Sequence, residues 1–129
     1  MSTQIQIPTP IPVYIQAACS DETTALTVGT SIVIFRIPCD MIITEVRASL
    51  STAQSSGSIF TVDIHKSGVS ILSTKLTIDN TQTTSVTATT PAVISNPITA
   101  DDARINVHID QIGNGTAKGL KVTLIGIRV

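Results

Sequence analysis

Two triplets in the sequence, Asp63-Ile64-His65 and His108-Ile109-Asp110, are mirror images of one another. In an extended chain alternate residues share a face, so each triplet sets a carboxylate and an imidazole side by side. On adjacent antiparallel strands, where directly opposed residues sit about 4.5 to 5.5 Å apart, the four side chains allow His–Asp ion pairs or a divalent cation held by two His and two Asp. The simpler outcome is a polar ladder on a wetted strand face. Asp63, His65, His108 and Asp110 are thus the only candidates for metal ligands, and neither a metal nor any other cofactor is expected. Cys19 and Cys39 could be combined with either histidine on paper, but four such residues form no recognisable nucleophile arrangement. The chain lacks G-x-S-x-G, P-loop, H-E-x-x-H and C-x-x-C motifs, so no catalytic residue is assigned and the chain reads as a non-enzyme. Asp101-Asp102 reads as a loop pair, Asn114-Gly115 as a tight turn, and Arg36, Glu45 and Arg47 as solvated or intrachain charges.

The elements that must position these residues are strands. Ile, Thr and Val make up 51 of 129 residues, and β-branched side chains favour a pleated surface over a helix. Eight strand-like runs, near residues 12–18, 30–37, 41–52, 58–66, 69–78, 84–95, 103–111 and 119–129, are separated by turn chemistry. Ser67-Gly68 is a two-residue hairpin signal between the fourth and fifth runs. The expected fold is an all-β, eight-stranded antiparallel sandwich of jelly-roll type without substantial helix, as one domain over residues 13–129 preceded by an extended arm at 1–12. Jelly-roll order places the second, seventh, fourth and fifth runs in one sheet, which makes the two Asp/His strands neighbours.

Phe60 to His65 and Ile105 to Asp110 alternate apolar and polar residues, so each has one core face. The second, third and eighth runs are apolar on both parities. A two-sheet sandwich buries one face of each sheet, so these runs call for cover by another copy of the chain. The expected oligomer interface comprises Ile32, Ile34, Ile43, Ile125, Ile127 and Val129.

Eight basic residues balance nine acidic ones without clustering, and the aromatics are Tyr14, Phe35 and Phe60 alone. Nucleic-acid binding needs clustered positive charge and stacking platforms, so no nucleic-acid partner is expected. The sequence has no apolar run long enough for a membrane helix, and MSTQIQIPTP has no signal-peptide pattern, so a soluble protein made in the cytoplasm with reduced cysteines is expected.

Several segments together resemble a block pattern of structural proteins of tailed bacteriophages: Ala18-Cys19-Ser20-Asp21-Glu22-Thr23-Thr24-Ala25-Leu26-Thr27, Phe35-Arg36-Ile37-Pro38, Thr44-Glu45-Val46-Arg47-Ala48-Ser49-Leu50, Ser70-Ile71-Leu72-Ser73-Thr74-Lys75-Leu76, Thr90-Pro91-Ala92-Val93-Ile94-Ser95, Ala100-Asp101-Asp102-Ala103 and Gly119-Leu120-Lys121-Val122-Thr123-Leu124-Ile125-Gly126. The resemblance covers about residues 17 to 127 and implies a β-sandwich, assembled as a homotrimer, in the virion. Such proteins occur as stand-alone virion components and as the ends of longer fibres. Only about a dozen residues precede the first run, which favours a capsid decoration or cement protein that binds the major capsid protein over a head- or tail-fibre tip that binds a host receptor or glycan. The arm, with Ile5, Ile7, Pro8, Pro10 and Pro12, is the expected capsid contact, since prolines favour an extended path that suits a strap on a neighbouring subunit.

Overall fold

A computed structural model describes residues 10–129. Eleven strands are present among them: β1 (Ile11–Ala18), β2 (Gly29–Arg36), β3 (Met41–Ser49), β4 (Phe60–Lys66), β5 (Val69–Ser70), β6 (Leu72–Thr74), β7 (Leu76–Ile78), β8 (Val93–Ile94), β9 (Ile98–Thr99), β10 (Arg104–Gln111) and β11 (Lys121–Arg128). The helical content is one 3-10 turn at Ser85–Thr87, capped by the Thr84 hydroxyl accepting from the Val86 N–H. The fold is all-β and sandwich-like.

One sheet has the order β1-β11-β3-β9, a second has β2-β10-β4-β5 with β7 also pairing with β4, and β6 and β8 form a small two-stranded third. The second is the order expected from the runs, and all strand pairings among the described residues are antiparallel. Val46, Ala48, Val122 and Leu124 from the first sheet meet Phe60, Val62, Ile64, Ile105, Val107 and Ile109 from the second in one core. Each fully buried side chain of this size contributes about 1.5 to 3 kcal/mol relative to exposure. That set explains why the alternating runs were legible.

Other boundaries moved for local reasons. The fifth run splits into β5, β6 and β7, because after Ser70 the chain leaves β4 and β6 pairs with β8 instead. The sixth run is a loop with the 3-10 turn and two-residue β8, since Pro91 removes a ladder donor and the Thr84 cap starts a turn. The short β9 follows Pro97 and was not expected. Ser67 and Gly68 both adopt positive φ, 51° and 84°, as a tight hairpin requires. β1 starts at Ile11, so Ile11 and Pro12 belong to the sandwich rather than to the expected arm. Pro12 is tolerated because β1 is an edge strand.

The β3–β11 ladder slips between Ile125 and Gly126, which places Glu45 opposite Ile125 and Ile43 opposite Gly126. This bulge switches the parity of β3 at Thr44. Glycine is required at 126 because a Cβ there would collide with the Ile42 carbonyl.

Candidate functional site

The two Asp/His triplets do come together. β10 and β4 are neighbours, with His108 opposite Asp63 and Asn106 opposite His65. The imidazoles of His65 and His108 stack with ring centroids 4.1 Å apart and planes 15° from parallel. Asp63 departs from the expected wetted ladder, since it is only 3 % exposed although it lies on the parity away from the core. Its cover comes from the segment after the hairpin. The Ser70 hydroxyl donates to Asp63 Oδ1 at 2.6 Å and the Ile64 N–H donates to the same oxygen at 2.9 Å. His65 Nε2 lies 3.0 Å from Asp63 Oδ2, and Lys75 Nζ lies 4.0 Å from that oxygen. Lys75 is also paired with Asp110 at 2.6 Å.

The consequence for chemistry is specific. The Ser70 hydroxyl is spent on the carboxylate rather than the imidazole, so the three side chains form no serine–histidine relay. A cation among Asp63, His65, His108 and Asp110 would have to displace the His65–Asp63 contact and the Lys75 ammonium. No group of three or more such side chains is arranged to hold a metal ion among the described residues. The cluster acts as a polar clasp: it ties the start of the β5–β7 segment to β4 and β10 through a buried carboxylate. Ser70 and Lys75 were missed from the sequence because neither carries a spacing signal toward Asp63.

Burial, and next the stacked His65 ring, hold the His108 pKa below the ordinary histidine value, against the pull of Asp110 and Asp63 and with Lys75 adding to the lowering. A histidine with a depressed folded-state pKa favours the fold while neutral. Stability is therefore present above the unfolded value near 6.5 and is lost as pH falls through it toward the folded value. Urea unfolding at pH 7.5 and pH 5 should show a loss for the wild type that shrinks in His108→Gln. An unchanged loss in that variant would remove His108 as its cause. Glu22, Glu45 and Asp21 have carboxyl pKa values lowered by hydrogen bonds, to Lys121 and Ser51, to Arg47, and to Thr24 and Thr23. Their contributions are lost only at lower pH, outside that window.

The expected interface residues fall in different places. Ile43 is buried in the chain's own core and has no surface left for a neighbour, because the β3 bulge turns it inward. Ile32 also packs against the core and lies half-buried. Ile34 is exposed on the outer face of the second sheet, opposite Asn106. Ile125 and Ile127 are half-buried on the outer face of the first sheet, and Val129 is exposed just beyond the end of β11. Residues not singled out from the sequence extend this face. Register aligns Pro12, Ile127, Ile42 and Ile98 in one row across four strands, and Tyr14 with Ile125 in the next. Tyr14 is 69 % and Ile98 71 % exposed. Of the arm, Pro10 is exposed and Pro12 is paired in β1, while Ile5, Ile7 and Pro8 lie outside the described residues.

Beside that row the sheet has a notch. β9 pairs with β3 only at Met41 and Ile42, and the Thr83–Ser85 segment takes the β3 edge again from Ala48 onward. Between them lies a groove of about 620 Å³, with Val46, Leu76, Ala92 and Ile94 among its lining residues and Glu45 and Arg47 beside it. Glu45 and Arg47 are paired within the chain at 2.8 Å. Cys19 is buried in the core, which pushes its thiol pKa up to about 11, and Cys39 is half-buried; both are free. Arg36 and Asp102 are also an intrachain pair, and Gly115 takes a positive φ in the Asn114-Gly115 turn.

No family model, curated protein or solved structure matches this chain.

Proposed function

We propose that this chain is a structural protein of a tailed-bacteriophage virion: a head decoration or cement protein that assembles as a homotrimer, binds the major capsid protein on the assembled shell and stabilises it without catalysing a reaction. The observation that carries the reading is the apolar outer face of the first sheet, where Tyr14, Ile42, Ile98, Ile125 and Ile127 share one surface. A contiguous apolar face of this kind favours cover by a protein surface. The resemblance of residues 17 to 127 to phage structural proteins supplies the setting, and the all-β sandwich agrees with it. A cap that binds assembled shell better than free shell subunits stabilises the shell by its binding free energy at every site it occupies.

Particles made without the protein should release their genome at a lower temperature than complete particles while adsorbing to host cells equally well. Particles that stay robust and fail to adsorb would defeat the decoration reading and favour a receptor-binding fibre tip.

A further inference from the structure

Beside the notch in the first sheet, the middle of β3 has an edge with no strand paired to it among the described residues. The Ile43 N–H donates to the Pro97 carbonyl at 2.9 Å and the Ala48 N–H to Ser85 Oγ at 2.9 Å, both on the side of β3 away from β11. Strand alternation turns the N–H and C=O of Val46 the same way, toward the groove, where no strand pairs with them among the described residues. The open edge runs from Thr44 to Arg47, four residues, with buried Leu76 and half-buried Ile94 and Ala92 in the lining and the Glu45–Arg47 pair beside it. An uncovered edge of this kind accepts an extended segment by main-chain pairing, with side-chain specificity set by alternate positions.

We propose that the occupant is the segment Gln4-Ile5-Gln6-Ile7 of a neighbouring copy of this chain, added as a strand beside β3. Three observations point to it. The segment alternates polar and apolar residues, so Ile5 and Ile7 face the apolar lining while Gln4 and Gln6 face Glu45 and Arg47. Its four residues match the four of the open edge, and Pro8 ends the strand because it lacks an N–H to donate. Reach excludes the chain's own arm. β1 lies two strands from β3, so the notch is roughly 14 Å away across the sheet, and β9 occupies the lane for roughly a further 7 Å. At roughly 3.3 Å per residue the crossing consumes about six residues counted back from Pro10, which leaves Ile5 and Ile7 in the crossing and out of the groove. The proposal rests on the homo-oligomer put forward above and replaces a capsid contact for the arm with a contact between copies.

The test uses the full chain in a Cys39→Ser background with Gln6→Cys on the arm and Thr44→Cys at the groove, treated with a short bismaleimide. Covalently joined chains on a denaturing gel, formed by the double variant, absent from either single variant, and lost when Ile5→Asp and Ile7→Asp are added, are the expected result. A trimer by light scattering that gives no joined chains would overturn the arm placement and leave the oligomer standing. A cross-link confined within single chains would overturn the reach argument. A monomer by light scattering that gives no joined chains would overturn both the arm placement and the oligomer beneath it.

Discussion

Asp63→Ala is expected to lower the free energy of unfolding by about 3 kcal/mol, a fall in Tm of roughly 10 °C for a chain of this size. Asp63 is nearly inaccessible to solvent and its carboxylate organises four neighbours. Truncation leaves the Ile64 N–H short of an acceptor and the Ser70 hydroxyl with only the Leu72 carbonyl, and hydrogen bonds to a charged group contribute more than neutral ones. The lysine contact adds little, since Lys75 is about half exposed and keeps its pairing with Asp110. Asp63→Asn is the informative comparator. Its carbonyl oxygen can still accept from Ile64 and Ser70, and its amide can donate to a neutral His65 ring, so the loss should be only about 1 kcal/mol. Thermal unfolding of the two variants beside the wild type decides the matter. A loss below about 1 kcal/mol for the alanine variant would mean that the clasp contributes little.

Ile125→Asp is expected to dissociate the proposed homotrimer while leaving the fold intact. Three chains of 13.5 kDa give a particle of about 40 kDa by light scattering, which should fall to the mass of one chain. Ile125 lies on the outer face, with Tyr14 on one side and Glu45 on the other, so its replacement leaves the core residues Val122 and Leu124 in place. In a free chain the new carboxylate would face water and Glu45, a like-charge contact that costs at most about 1 kcal/mol. Beneath a neighbouring subunit the same carboxylate would be desolvated without a partner, at a cost of several kcal/mol per interface. Circular dichroism should therefore remain that of the wild type. Retention of the full particle mass would show that this face is not where the copies meet.

The sequence alone determined what depends on local periodicity. Phe60, Val62 and Ile64 alternate with Thr61, Asp63 and His65, and Ile105, Val107 and Ile109 alternate likewise, because a two-residue period assigns one parity to the core wherever a sheet has one dry face. The Ser67-Gly68 hairpin was legible from its turn residues, and both adopt the positive φ that a type I′ turn demands. Together with the jelly-roll order expected for eight runs, these signals paired β4 with β10 and so brought the two Asp/His triplets together. Only the tertiary structure decided which parity of the doubly apolar runs is inward. A run such as Met41-Ile42-Ile43 carries no contrast, and the bulge that switches β3 at Thr44 arises from its pairing with Gly126 on a strand some eighty residues away. The burial of Asp63 was equally invisible, because its cover is Ser70, the last residue paired with β4 in β5, and Lys75, which the chain brings back just before β7 rejoins β4. The notch beside β3 exists because β9 stops after two residues and the loop from Asp79 to Pro97 holds its distance from the middle of β3. Periodicity reports which face of a strand is dry, whereas an unpaired edge is a property of what lies beside the strand, and that depends on residues remote in the chain.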